Sequence, residues 1–221
     1  MKLYLSSYKV GNQINYLKDW IAKNGNKICL VANSRDQWDT EGNERYTAGI
    51  QKDISELEIL GFDVTELDLR KFFGKEKELQ EFMQNHNAVY VIGGNTFVLR
   101  QAMKLSGFDN FIRSQTKNPN FLYSGYSAGV CVLSESMKGI ELVDEPEVDP
   151  YNTGEVIYEG LGLIDYTPMV HYKSDHPETK LIDKAIEYAN ANNIKYKTLR
   201  DGEVIIKDTI TGKEQIHKLS N

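Results

Sequence analysis

Residues 121–130 read FLYSGYSAGV, and this stretch predicts a short buried strand that turns sharply into a helix. Its centre, residues 125–129, is a Gly-x-Ser-x-Gly pattern. In such a turn the glycines let the backbone fold tightly, and the serine hydroxyl is lifted clear of the sheet. The helix that follows directs free N–H groups at the same point, where an oxyanion can bind. Ser127 is therefore either a nucleophile or only a small turn residue, and the rest of the chain has to decide.

The composition predicts one globular domain, residues 1–221. Of the 221 residues 40% are hydrophobic and 26% charged, which suits a single α/β domain with a substantial core. The net charge is −6 and the 26 basic residues are spread along the chain, so we expect no nucleic-acid partner. The N-terminal segment is too mixed for a signal peptide, and no apolar run approaches the ~18 residues of a membrane span. Cys29 and Cys131 lie in apolar contexts without metal or disulfide spacing, so a cytoplasmic protein is expected.

Short apolar runs alternate with amphipathic stretches in the first part of the chain. Strands are expected at 3–5, 28–32, 64–69, 88–92 and 121–123, and helices at 14–22, 44–60, 75–83, 96–105 and 108–115. This alternation favours a mostly parallel sheet with helices on both faces. Ligands bind beyond the carboxyl ends of the strands in such sheets, and the glycine-bearing breaks at 93–95 and 125–129 both lie at such ends.

The last part of the chain has a different character. Residues 137–153 are acidic and rich in turn residues, which indicates a solvated loop or a flap over the site. A short strand at 161–169 leads to His171, and residues 177–190 have a helical pattern. Residues 195–218 are expected to form short antiparallel strands, with a hairpin turn at Thr211-Gly212.

A serine nucleophile needs a base, and the chain has only four histidines. His86 precedes a strand at its amino end, and His176 stands beside an expected helix start, so neither is favoured. His171 follows the apolar run TPMV at a strand's carboxyl end, whereas His217 lies in an expected edge strand. His171 is favoured, but His217 stays open.

The orienting acid is equally open at this point. Asp201, before Gly202, follows an expected strand and can reach across to an imidazole, or can simply form an Asp-Gly turn. Two chain orders therefore compete. One is Ser127, His171, Asp201; the other is the α/β-hydrolase order, with Asp201 or Asp165 followed by His217.

The turn at residues 93–96, Gly-Gly-Asn-Thr, is not a dinucleotide fingerprint, because Phe97 stands where a further glycine is required. It places a glycine N–H near the end of the neighbouring strand. That N–H is suited to be a second oxyanion donor beside the N–H of Ala128. A tight turn that needs glycine only for its backbone is the alternative.

Two segments, VIGGNTFVLRQ and about thirty residues later FLYSGYSAG, resemble the peptidase E family, the α-aspartyl dipeptidases. QWDTEGNERYTAGI, PMVHY and TLRDGEVI are similar to further family segments, so the resemblance covers about residues 28 to 207. It implies a three-layer α/β sandwich of the class I glutamine-amidotransferase-like type, with a strand-to-helix nucleophile elbow. It further implies a serine peptidase with nucleophile Ser127, base His171, acid Asp201 and oxyanion N–H groups from Gly94 and Ala128, working without a metal or organic cofactor.

The chain departs from the aspartate-specific members in one segment. The segment of residues 135–160 is long and strongly acidic, whereas those members have a short loop at this place. The negative charge of the segment would repel an aspartyl side chain of a substrate. Arg35 and Arg100 lie near strand ends and are candidates to pair with a substrate carboxylate, and Asn95 is a further candidate substrate-binding residue.

The favoured hypothesis is an intracellular serine exopeptidase, monomeric or homodimeric, that hydrolyses dipeptides or short peptides through a Ser-His-Asp triad and an acyl-enzyme. Peptides with an N-terminal aspartate are among its candidate substrates. One alternative is an esterase that uses Ser127 with His217. Another is a non-catalytic relative in which the acidic segment closes the pocket and the protein binds a ligand.

Overall fold

The computed structural model describes residues 1–39 and 43–219. The strands of this part of the chain are β1 (Lys2–Ser6), β2 (Lys27–Val31), β3 (Asp63–Glu66), β4 (Ala88–Val91), β5 (Leu122–Tyr126), β6 (Thr167–Met169), β7 (Tyr196–Thr198), β8 (Val204–Asp208) and β9 (Glu214–His217). The α-helices are α1 (Ile14–Asn24), α2 (Glu44–Ile59), α3 (Glu76–Met83), α4 (Thr96–Ser106), α5 (Phe108–Ser114), α6 (Ala128–Cys131) and α7 (Thr179–Ala191). Short 3-10 helices cover Asn33–Trp38, Leu69–Phe72, Gln115–Lys117 and Ile140–Leu142.

Seven of the described strands form one sheet, in the order β3-β2-β4-β5-β1-β8-β9. The five strands from β3 to β1 are parallel, and β8 and β9 add an antiparallel edge. The predicted mostly parallel α/β sheet is therefore confirmed. The expected hairpin is also present, because β8 and β9 are joined through the turn that contains Gly212.

The expectation of antiparallel strands throughout 195–218 was wrong for β7. This strand pairs in parallel with β6 in a separate two-stranded sheet. The reason is the connection, because α7 lies between the two strands, and a strand–helix–strand crossover returns the chain in the same direction. The residues that follow β6 and β7 consequently meet at one end of this small sheet.

Successive residues of the central strands are buried on opposite sides of the sheet. Leu3 and Leu5 belong to a core that packs against α4 and α5, whereas Tyr4 belongs to a second core with Leu17 and Trp20 of α1. Because side chains alternate along a strand, apolar residues at every position require a helix layer on each face. The three-layer sandwich is thus a consequence of strands that are apolar on both sides.

This topology brings four chain segments to one edge of the sheet. The carboxyl ends of β1, β2, β4 and β5 are adjacent there, and they lead into residues 7–8, 33–38, 92–95 and 127–129. In the described ranges, no helix combines the length and apolar composition needed to cross a membrane.

Candidate active site

Ser127 lies at the sharp turn between β5 and α6. Its backbone has φ 49° and ψ −116°, a conformation that non-glycine residues rarely adopt. The flanking glycines are needed because β4 passes very close: a Cβ on Gly125 would lie 2.5 Å from the carbonyl oxygen of Val91, and one on Gly129 would lie 2.2 Å from it. Although Ser127 precedes the helix, its side chain makes no capping hydrogen bond, so the hydroxyl is not used by the fold.

Two backbone N–H groups beside this turn have no acceptor. Within the described residues, neither the N–H of Gly94 nor that of Ala128 donates a hydrogen bond. Gly94 has φ 155°, and a Cβ there would lie 2.5 Å from the carbonyl oxygen of Ser34. A Cβ on Gly93 would lie 2.9 Å from Cβ of Ser127. The glycine turn therefore packs directly against the serine turn, and only glycine fits at either position.

His171 and Asp201 meet at the end of the small sheet. His171 follows β6 and Asp201 follows β7, and Nδ1 of His171 lies 2.7 Å from Oδ1 of Asp201. His171 is 1% exposed and has φ 57°, so it is a second site residue in a rarely adopted backbone conformation. Burial alone would raise the pKa of Asp201, but the hydrogen bond with His171 and the His171 charge hold it below its usual value.

Ser7 connects this pair to the main sheet. Its hydroxyl oxygen accepts the backbone N–H of His171 at 2.8 Å, and its O–H lies 2.8 Å from Oδ1 of Asp201 and 3.2 Å from the carbonyl oxygen of Leu199. Sequence reasoning missed Ser7. The available signal was its position directly after β1, at the same edge as the two glycine-bearing breaks.

The other ring nitrogen of His171 faces a second acidic residue. Nε2 lies 3.9 Å from Oε2 of Glu178, which sequence reasoning also missed. The ring of His176 stacks on His171 with a centroid distance of 3.7 Å and an interplanar angle of 6°. Burial and the neighbouring imidazole lower the pKa of His176.

His171, His176 and Glu178 are the candidate metal ligands of the described chain. The lone pair of an imidazole nitrogen lies in the plane of its ring, and two stacked, nearly parallel planes do not meet at a common point, so the two rings do not converge on one ion. A metal would require one ring to turn.

Tyr8 lies between the two halves of the site. Its ring centroid is 5.7 Å from that of Tyr126, next to Ser127, and 6.0 Å from that of His171. In the part of the chain that the structure describes, Ser127 Oγ forms no hydrogen bond with His171. The structure thus brings Ser127, Gly94, Ala128, His171 and Asp201 to one region.

The remaining candidates have other partners. Arg100 is 5% exposed, lies 3.0 Å from Asp109 and donates to the carbonyl oxygen of Glu159, so groups of the fold already engage its guanidinium. Asn95 accepts the N–H groups of Phe97 and Val98 as the N-cap of α4, a structural use of its side-chain oxygen. Arg35 is also held by groups of the fold, namely Gly93, Tyr126 and Asp53.

The His217 alternative does not fit the sheet. His217 ends β9, which is separated from β5 by β1 and β8. At a strand spacing of about 4.8 Å, its backbone lies roughly 14 Å from that of β5, too far for an imidazole to reach Ser127. Asp165 forms a surface ion pair with Lys195 instead of orienting a histidine.

The acidic segment 135–160 is attached to the body rather than projecting from it. Thr96 donates its N–H and hydroxyl to Asp144, and Asn95 donates to the carbonyl oxygen of Glu145. Burial raises the pKa of Asp144 to about 6, against the hydrogen bonds from Thr96. A cavity of about 240 Å³ lies beneath this part of the segment, lined by Gln37, Trp38, Gly94, Asn95, Val143, Asp144, Glu145 and Glu178.

The family model of peptidase family S51 matches residues 7–213. Two curated relatives are named as uncharacterized peptidases. Lin0382 of Listeria innocua is 30% identical over 166 residues, which cover 75% of this chain and 74% of the relative. Lmo0363 of Listeria monocytogenes is 31% identical over 177 residues, which cover 79% and 80%.

Solved structures show the same fold. A structure described as a candidate peptidase E protein from Listeria monocytogenes EGD-e has a TM-score of 0.77 at 21% identity, with 99% of this chain and 98% of that chain covered. A peptidase from an acI-B1 Actinobacterium has a TM-score of 0.67 at 15% identity, with 99% and 88% covered. The resemblance to peptidase E is confirmed by the family match, and the chain belongs to peptidase family S51 as a serine peptidase.

Proposed function

We propose that this serine peptidase is an exopeptidase acting on dipeptides or similarly short peptides, with Ser127 as nucleophile, His171 as base and Asp201 as orienting acid. One observation carries the proposal: the 2.7 Å contact between His171 and Asp201, beside a serine turn with two unused N–H groups. The proposal includes a short-peptide substrate, a monomer or homodimer, and a cytoplasmic location in keeping with two buried free thiols.

The tautomer of His171 follows from its contacts. With its proton on Nδ1, the ring donates to Asp201 and leaves the lone pair of Nε2 free to accept a proton. Ser127 Oγ attacks the scissile carbonyl carbon while Nε2 takes the hydroxyl proton, and the imidazolium so formed is stabilised by Asp201. For this step the serine hydroxyl has to come within hydrogen-bond distance of Nε2, a contact that often tightens only with substrate bound.

The oxyanion and the leaving group complete the cycle. The N–H groups of Gly94 and Ala128 bind the carbonyl oxygen as it gains charge, an interaction typically worth about 3 kcal/mol per donor. The imidazolium of His171 then gives its proton to the leaving amine as the C–N bond breaks. Water then attacks the carbonyl carbon of the acyl-enzyme, with His171 again as base. The carboxylic acid product leaves, and Ser127 takes back its proton from His171.

The test is hydrolysis of a dipeptide panel with aspartyl, glutamyl, neutral and basic first residues, together with labelling by a fluorophosphonate. Wild type is compared with Ser127→Ala and with Ser124→Ala. Ser124 lies in β5, the strand that leads into the serine turn, and its hydroxyl donates to the carbonyl oxygen of Val89. We expect Ser127→Ala alone to abolish cleavage and labelling. Cleavage that survives in folded Ser127→Ala would refute the proposal.

The same assays distinguish the two alternatives, an esterase that uses His217 and a non-catalytic protein that binds a ligand. His171→Ala should abolish activity and His217→Ala should leave it intact; the reverse would favour the esterase reading. Correctly folded wild type that neither turns over any peptide or ester nor reacts with the fluorophosphonate would favour a ligand-binding relative.

A further inference from the structure

The peptide group between Gly93 and Gly94 is held at its oxygen end by two side chains. The carbonyl oxygen of Gly93 accepts a hydrogen bond from Nε of Arg35 at 2.9 Å. It also lies 3.0 Å from the hydroxyl of Ser34, which is shared with the carbonyl oxygen of Ile92 at the same distance. The same planar unit carries the N–H of Gly94, and in a trans peptide the N–H points away from the C=O. Fixing the carbonyl toward residues 34 and 35 therefore fixes the N–H of Gly94 in the opposite direction.

The guanidinium of Arg35 also contacts the serine turn. Its Nη2 donates to the hydroxyl of Tyr126 at 2.7 Å, and Tyr126 is the residue before Ser127. Gly93 also packs directly against Tyr126 and Ser127, because a Cβ on it would lie 2.8 Å from the Tyr126 ring and 2.9 Å from Cβ of Ser127. One side chain thus links the two turns that supply the proposed oxyanion donors.

The position of Arg35 is itself fixed. Nη1 lies 3.2 Å from Oδ2 of Asp53, a carboxylate that is 1% exposed and also lies 2.7 Å from Nζ of Lys9. The side chain of Arg35 is only 20% exposed. A planar guanidinium with donors to a carbonyl, a phenol and a carboxylate has little rotational freedom, and an ammonium cannot replace it.

We infer that Arg35 is a positioning residue for oxyanion stabilisation, rather than a ligand for a substrate carboxylate. It orients the peptide whose N–H from Gly94 binds the oxyanion, and its positive charge polarises that peptide so that the N–H is a stronger donor. Arg35 touches neither substrate nor the reacting atoms in this role. The inference rests on the proposed function, because it assigns Arg35 a task within the same site.

The test compares Arg35→Lys, Arg35→Gln and Ser34→Ala with wild type in steady-state hydrolysis and in fluorophosphonate labelling. In labelling, Ser127 Oγ forms a bond to phosphorus, fluoride leaves, His171 takes the serine proton, and the phosphoryl oxygen needs the same N–H donors. The labelling rate therefore reports on the oxyanion donors without depending on peptide specificity.

We expect both Arg35 variants to lower kcat and the labelling rate by about 10- to 100-fold, with KM changed by less than about twofold, since the loss lies in the transition state. Ser34→Ala should show a smaller loss of the same kind. A further variant, Arg35→Ala, removes the whole guanidinium-bearing side chain, and guanidinium added to the assay should restore part of its rate. Asp53 keeps Lys9 as a partner in all these variants, so the fold is expected to survive.

The matched control is Arg113→Lys, because Arg113 donates Nε to the carbonyl oxygen of Leu161 and lies 3.4 Å from Asp109. It lies near the end of α5, before the amino end of β5, whereas both turns follow the carboxyl ends of strands. The variant should change thermal stability but not kcat. Wild-type rates in folded Arg35→Lys and Arg35→Gln, or losses that only follow the unfolded fraction, would overturn the inference. A wild type inert to peptides and fluorophosphonate alike would instead refute the proposed function.

Discussion

The backbone N–H of His171 donates to the hydroxyl of Ser7 at 2.8 Å, and that hydroxyl in turn lies 2.8 Å from the carboxylate of Asp201. One serine at the end of β1 therefore holds both the imidazole backbone and the acid that orients the ring. The two-stranded sheet that carries His171 and Asp201 is separate from the main sheet, so this contact fixes its position relative to β1.

Ser7→Ala is expected to lower kcat by about tenfold and stability by about 1–3 kcal/mol, because a buried N–H loses its acceptor and Asp201 loses a donor. Activity assays at matched folded fraction and chemical denaturation measure the two effects. Ser6→Ala is the control: Ser6 is equally buried, but its hydroxyl donates to the carbonyl oxygen of Tyr8. Equal activity loss in both variants would contradict a specific role of Ser7.

Asp201→Asn keeps the size of the side chain but removes its charge. The amide can donate to Nδ1 of His171, which favours the tautomer with its proton on Nε2, the wrong form for a base. We expect kcat to fall by about 10³- to 10⁴-fold; the aspartate-to-asparagine change in chymotrypsin-like triads is the reference for this magnitude. A loss below tenfold would mean that another carboxylate orients His171, and Glu178→Gln in the same background would identify it.

Much of the fold could be predicted because its signals are local. The elbow at Ser127 is indicated by glycines two residues on either side, and the alternation of apolar runs with amphipathic stretches gave the parallel sheet. His171 and Asp201 each follow a short strand, which made both of them candidates, but only the resemblance to peptidase E decided in their favour over His217 and Asp165. The separate sheet of β6 and β7 was not visible, because strand partners depend on the helix that connects them.

The contacts that the sequence did not reveal depend on how separate elements pack together. Ser7 lies 164 positions from His171, and no pattern within either segment announces the contact. Arg100 was expected to bind a substrate carboxylate, and its ion pair with Asp109 was not visible because it depends on the packing of α4 on α5. Arg35 was expected to bind a substrate carboxylate, but in the structure Gly93, Tyr126 and Asp53 occupy its donors.

Stability should depend on pH through Asp144. Burial raises its pKa to about 6, whereas an unfolded aspartate has a pKa of about 3.9. Between these values the unfolded chain loses the proton while the folded chain keeps it, so the free energy of unfolding falls as pH rises from about 4 to about 6, by up to about 2–3 kcal/mol. Denaturation across this range should show the slope in wild type and not in Asp144→Asn.

Asp149 in the same acidic segment is the contrasting control. Although slight burial acts to raise its pKa, hydrogen bonds from the Thr153 and Gly154 backbone hold it below the usual value. The ionised Asp149 therefore adds to the free energy of unfolding above the pKa that it has in the unfolded chain. This stabilisation is lost as the pH falls through its pKa in the folded chain. Asp149→Asn should therefore leave the decline between pH 4 and 6 in place. An identical response of both variants would show that Asp144 does not cause it.

The cavity under the acidic segment predicts the order of substrates. Three of its lining residues are carboxylates, and none of the described residues that line it is a lysine or arginine. We expect neutral and basic first residues to be cleaved about tenfold faster than aspartate, because like charges repel across a few ångströms of partly desolvated space. Glu145→Gln should reduce this difference in cleavage rate between the substrates, and high salt should reduce it as well. Glu147→Gln, outside the cavity lining, should leave it unchanged. A preference for aspartate in wild type would contradict this.

Gly93 offers a test of how closely the two turns must fit. Its φ is not in the left-handed region, so alanine is tolerated by the backbone, but the added Cβ would lie 2.9 Å from Cβ of Ser127 and 2.8 Å from the Tyr126 ring. Gly93→Ala should therefore displace Ser127 and lower kcat by about 100-fold or more, since a shift of about 1 Å can cost that much. Gly74→Ala is the control, because its φ of 68° brings backbone strain of about 1 kcal/mol but no atom lies within 4 Å of the new methyl group. If both variants lost only stability and kept wild-type kcat, the serine turn would tolerate displacement, and close packing against Gly93 would not be what positions the nucleophile.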